Sequence, residues 1–111
     1  MLIYKYMLLI NMSKELLDKI AEKVKKYNDF LLDKSLRGLY SEYDNLTRYL
    51  QQRSYRLIAL ALIETGVHSC DLVTRIVDIV GKVEGDAKEI ISLVIQYHSR
   101  LTDQVDKALR M

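Results

Sequence analysis

No proline interrupts this chain of 111 residues, and it has only four glycines. Proline kinks or ends any helix it falls inside, and sheet proteins of this length need turn formers roughly every ten residues. A chain short of both is free to build long helices and poorly equipped to build anything else. Half of its residues are hydrophobic and 29% are charged, a balance that suits a folded domain. At this length a single domain, 1–111, can bury about two-thirds of its unfolded surface and form a core without metal or disulfide.

Apolar residues recurring every three or four positions mark one face of a helix. Leu17, Ile20, Val24, Tyr27 and Leu31 form the first such seam, behind Ser13 as a candidate N-cap and Glu15 in the first turn. Ser35 is a second candidate cap. After it Leu36, Leu39, Tyr43, Leu46, Leu50, Leu57 and Leu60 hold heptad spacing, with Arg53 the one polar member. The run predicts a helix of about 30 residues, some 45 Å long at about 1.5 Å per residue. Thr65-Gly66 then predicts a break or kink, with Ser69 or Asp71 capping a third helix that runs to about Val83. Beyond Gly85, Asp86-Ala87-Lys88-Glu89 has capping-box spacing. A fourth helix follows on Ala87, Ile91, Val94, His98, Leu101, Val105 and Ala108.

The expected fold is therefore all-α, an antiparallel bundle of about four helices with one long central helix. The overhang of that helix would expose apolar surface for a second copy, so a homo-oligomer, most simply a dimer, is expected. Residues 1–11, MLIYKYMLLIN, are too short to span a bilayer and lack the features of a secretory signal. They read as an N-terminal extension and not as a membrane anchor.

One polar set stands inside the apolar stretch from Arg48 to Val83: Glu64, His68, Asp71, Arg75 and Asp78. In an unbroken helix, at about 100° per residue, these share one narrow stripe. Carboxylates and imidazole on successive turns can ligate a transition metal, and Glu64, His68 and Asp71 are the candidates, with His98 of the fourth helix as the facing ligand. No Glu-x-x-His pairs of the di-iron type accompany them. The competing expectation is a solvated ion-pair ladder, Asp71 to Arg75 to Asp78. A break at Gly66 favours that ladder, leaving Glu64 at a helix end and His68 in a turn.

Arg48-Tyr49 and Arg53-Ser54-Tyr55-Arg56 form a basic and aromatic run in which Arg48, Tyr49, Arg53 and Arg56 could contact phosphates and bases. Residues 34–56 carry five basic and two acidic groups, whereas residues 57–111 carry six basic and eight acidic. That asymmetry serves self-association as readily as nucleic acid. Of the eight tyrosines, Tyr27, Tyr40, Tyr43, Tyr49 and Tyr55 are candidates for an association surface. The lone Cys70 is expected to be a small buried hydrophobe. It cannot form an intramolecular disulfide, so a cytoplasmic location is expected.

No glycine-rich phosphate loop, nucleophile elbow, zinc-protease motif or cysteine-histidine arrangement occurs, so no enzyme is expected and no cofactor. The stretch DLVTRIVDIVGKVEGDAKEI resembles the helical repeats of PhoU-type phosphate-signalling regulators in its general helix chemistry. Where those repeats carry Glu/Asp-x-x-x-Asp, Thr74 stands four before Asp78 and Lys82 four before Asp86. The metal motif is therefore not carried over, and membership is not inferred. The sequence points to an interaction or accessory protein acting through self-association and a protein partner. The alternatives are a small nucleic-acid-associated subunit and a metal-linked helical regulator.

Overall fold

The computed structural model describes the backbone of residues 2–110 and the side chains of residues 11–110. The chain is all-α and 92% helical. The four helices are α1 (Leu2–Val24), α2 (Phe30–Gln52), α3 (Tyr55–Val80) and α4 (Gly85–Arg110), and a single 3-10 turn, Lys25–Tyr27, extends α1. Two-residue links at Asn28-Asp29 and Arg53-Ser54, and a four-residue link over 81–84, force consecutive helices to run antiparallel. Helix α4 returns beside α1, where Lys23 pairs with Glu89 at 2.9 Å and Lys26 pairs with Asp86. The result is a ring of four helices with overall dimensions of 46 × 20 × 17 Å.

Most of the seam residues read from the sequence line the core: Leu17 and Ile20 of α1, Leu39, Leu46 and Leu50 of α2, and Val94, Leu101 and Val105 of α4 are buried, whereas Leu31 and Leu60 are about half exposed. Leu72 and Ile76 of α3 and Ile90 of α4, which the seams did not include, complete it. Several predicted boundaries move. Helix α1 does not begin at Ser13 but runs through it from Leu2, so residues 2–11 are helical turns. Ser13 is buried and donates its hydroxyl to Gln104 Oε1, 91 residues away. Ser35 is likewise inside a helix. The cap of α2 is Asp29, whose Oδ1 accepts from Leu32 N–H at 3.0 Å. Asp86 and Glu89 do not form a capping box, since both reach across to the lysines of α1.

The long central helix does not form. The predicted 30-residue run is cut at Arg53, which takes left-handed backbone angles (φ 55°, ψ 32°). Its N–H reaches Leu50 O and the Ser54 N–H reaches Tyr49 O, the paired bonds of a left-handed helix stop. The break falls at the one polar member of the seam. A straight continuation would carry a guanidinium on the line of Leu46 and Leu50, both buried. The turn instead sends Nη1 to the Leu109 carbonyl at 3.2 Å, tying the α2–α3 corner to the end of α4.

At Gly66 the opposite correction holds: α3 continues through it without a break. A glycine in a helix interior costs about 1 kcal/mol relative to alanine. The buried line of Ile58, Ala61, Thr65, Ser69, Leu72 and Ile76 crosses that position unbroken, and packing of that size outweighs the local preference. The stop comes at Gly81, whose φ of 77° suits glycine. The four helices are therefore 23, 23, 26 and 26 residues long, and no one of them is much longer than the others.

Candidate functional site

Because α3 is continuous, its outer surface divides into two stripes. Toward α2 lie Glu64, His68, Asp71, Arg75 and Asp78, the coherent polar line that an unbroken helix requires. Opposite the buried line, facing away from the core, lie Leu60, Ile63, Val67 and Cys70, at spacings of three, four and three.

The polar stripe borders a groove of ≈ 310 Å³ between α2 and α3, lined by Lys34 and Ser35 on one side and by His68, Asp71, Arg75 and Asp78 on the other. Glu64 is exposed and lies outside this lining. The expected Asp71–Arg75–Asp78 ladder gives way to a bond between helices. Arg75 Nε and Nη2 reach Asp29 Oδ1 and Oδ2 at 3.1 and 2.7 Å, a two-point grip on the residue that also caps α2. The guanidinium, joined by the Leu32 N–H, holds the Asp29 carboxyl down at about 2. Arg75 thus fixes where α3 crosses the start of α2.

The inner end of the groove is made by a close approach. A Cβ on Gly38 would stand 2.5 Å from His68 Nδ1, closer than atoms can pack. The missing side chain lets the imidazole lie against the α2 backbone, which explains a glycine in the interior of that helix. His98 occupies a different place, on the α4 side of α3. Its Cε1 lies 3.6 Å from where a Cβ on Gly66 would be, and its Nδ1 is buried without a hydrogen-bond partner among the described residues. His68 and His98 therefore flank α3 on opposite sides and cannot converge on one ion. No three of His, Cys, Asp and Glu gather as a ligand set among the described residues.

The apolar stripe borders a second groove, of ≈ 400 Å³, between α3 and α4. Gly66, Ser69, Cys70, Val73 and Thr74 line one wall, and Val94, Ile95, His98 and Ser99 the other. No permanently charged side chain lines it. Leu60, Ile63 and Val67 stand beside it at 49, 62 and 48% exposure, and Ile95 on α4 is 62% exposed. Cys70 is exposed on the same line, not buried as expected. By length and composition α3 is apolar enough to cross a membrane, yet only 28% of its most apolar window is buried. Apolar residues occupy both its buried line and its outward line, and an outward apolar line is what a surface helix of a globular protein normally lacks.

The basic-aromatic face is dispersed. Arg48 lies over the Tyr49 ring at 5.3 Å and donates to Asn45 Oδ1 at 2.8 Å, while Tyr49 is half-buried against the core. Arg53 belongs to the corner, and only Arg56, the first full turn of α3, stands exposed beyond it. The break at Arg53 removes the shared face that a continuous helix would have given Tyr49, Arg53 and Arg56. Most of the tyrosines serve the fold. Tyr43 is buried and donates to Asn11 Oδ1 at 3.0 Å, Tyr40 donates to Asp18 Oδ1, and Tyr27 packs half-buried on the core. Tyr55 alone of the five candidates is well exposed.

Sequence reasoning missed the apolar stripe because a helix ending at Gly66 assigned Leu60 to the seam of α2. The signal was present: in one helix from Tyr55, Leu60, Ile63 and Val67 cannot share a face with Ile58, Ala61, Leu72 and Ile76. The fold and both stripes define a four-helix bundle with one unsheathed side. The chain matches no protein-family model, no curated protein and no solved structure.

Proposed function

We propose that this chain is a non-enzymatic interaction protein, an adaptor or accessory subunit whose binding surface is the apolar stripe of α3. One observation carries the reading: Leu60, Ile63 and Val67 remain about half exposed after the core of the bundle is complete. Scattered apolar residues are ordinary on protein surfaces, but an aligned set of them opposite the buried line of a helix marks a surface made to be covered. Burying the remaining half of these three side chains and of Ile95 would contribute on the order of 3–6 kcal/mol per copy. Association itself costs an estimated ~4–15 kcal/mol. The stripe can therefore form the centre of an interface, with polar groups around it supplying the remainder.

The test is a photo-reactive amino acid placed at Ile63 in cells that produce the protein. Irradiation is expected to give a covalent adduct of higher mass at this position and none at exposed Lys88, which lies outside the stripe. Illumination that leaves the chain unmodified at position 63 would refute the reading.

A further inference from the structure

We infer that the occupant of the α3 stripe is a second copy of this chain, lying antiparallel across a two-fold axis level with Thr65. The inference rests on the reading of the stripe as an interaction surface. Arg56, Leu60, Ile63, Val67, Cys70 and Thr74 follow one another at spacings of four, three, four, three and four. At about 100° per residue they form one line on the helix. The series reads the same in both directions, and its midpoint is residue 65. Closed dimers join the same patch on both subunits, so a patch that is its own reverse is suited to that symmetry. The axis sets Ile63 against Val67 of the second copy and Leu60 against its Cys70, and each contact occurs twice.

The charges select this orientation. Arg56 is exposed at the start of the line. In the antiparallel arrangement it falls opposite Thr74 of the second copy, beside Asp71 and Asp78, which are exposed on the adjoining stripe. Asp71 and Asp78 stand on the same flank as the Arg56 of the second copy, and the two Glu64 side chains, next to the axis on that flank, lie at the solvent-exposed edge of the contact. A parallel pairing would instead bring Arg56 onto Arg56 and leave both far from the Asp71 and Asp78 that the antiparallel pair supplies, which is repulsive. The groove beside the line has no permanently charged lining and opposes neither copy. Level with the axis on α4 stands Ser99, a small exposed residue, since Gly66 is level with His98.

Register cross-linking tests this in the full chain. Ile63→Cys and Val67→Cys are each made with Cys70→Ser, and both substituted positions are exposed, so circular dichroism should show unchanged helicity. Under mild oxidation the mixture of the two variants is expected to give a disulfide-linked dimer in several-fold greater yield than either variant alone. Arg56→Glu is expected to raise the dissociation constant of the otherwise native protein by at least about tenfold. Efficient linking of Ile63→Cys to itself would show a parallel pair and overturn the arrangement. Sedimentation of the native chain as a monomer at ~100 µM would overturn the second copy as occupant. In that event a photo-adduct at position 63 with the mass of another protein leaves the interaction surface standing, whereas no adduct removes both.

Discussion

Replacing Gly38 and Gly66 separately by alanine should move stability in opposite directions, although both glycines lie inside helices. On backbone grounds each replacement gains about 1 kcal/mol, the usual difference between glycine and alanine in a helix interior. At Gly66 nothing opposes that gain, because the new Cβ meets only His98 Cε1, at an ordinary 3.6 Å. At Gly38 the Cβ would stand 2.5, 2.6 and 2.7 Å from three ring atoms of His68. The imidazole must move by about an ångström, and overpacking of this kind costs about 1–3 kcal/mol. The expected changes are therefore a stabilisation of about 1 kcal/mol for Gly66→Ala and a destabilisation of about 0–2 kcal/mol for Gly38→Ala. In a domain of this size 1 kcal/mol corresponds to about 4 °C in Tm. Urea and thermal unfolding followed by circular dichroism resolve that difference. Repeating Gly38→Ala in a His68→Ala background isolates the clash: there the alanine should stabilise by about 1 kcal/mol, as at position 66. Equal stabilisation at both sites in the native background, or no rescue by His68→Ala, would show that the glycine is not there to admit the ring.

Ser13→Ala removes the donor to buried Gln104 and is expected to cost about 1–3 kcal/mol. Unfolding that changes by less than about 0.5 kcal/mol, the scale of an indifferent surface site, would contradict this. The Asp29–Arg75 pair predicts a pH dependence whose sign is fixed. The Asp29 carboxyl is held at about 2, below its usual 3.8, so its contribution is present above about pH 4 and is lost as pH falls through about 2. Asp29→Asn keeps a capping side chain but removes the charge. Its urea midpoint should lie below that of the native chain at pH 5, and the gap should narrow as pH falls and close only below about pH 2. Parallel curves over that range would rule the pair out as the source.

The helix seams were readable because periodicity reports burial directly, and Leu17, Ile20, Leu39, Leu46, Leu50 and Leu101 all face the interior. The boundaries were less readable, for reasons that differ from place to place. Ser13 has the chemistry of a cap, but its hydroxyl finds Gln104 across the bundle, a partner no local window contains. Gly66 is a helix stop in isolation and a tolerated site once α2 and α4 pack against α3. Arg53 stops a helix without being glycine, because the alternative was a guanidinium on the buried side. Each error about the site followed from one about the backbone. Moving the break from Gly66 to Arg53 joined the polar stripe into one line, turned Arg75 to Asp29, separated His68 from His98 and uncovered the apolar line beside them.

The short links between helices also have a consequence for how the chain reaches this structure. Neighbours in sequence are neighbours in space for α1 with α2, α2 with α3, and α3 with α4, so each of those hairpins closes a small loop. Only the seating of α4 against α1, marked by Ser13 and Gln104 at a separation of 91 residues, must gather distant parts of the chain. Loop-closure entropy rises slowly with length, and folding rates fall as contacts become less local. The α1–α4 seam is thus the step whose entropy must be met by structure already formed in the other three pairings. Ser13 and Gln104 sit on that seam, where the ring of helices is finally closed.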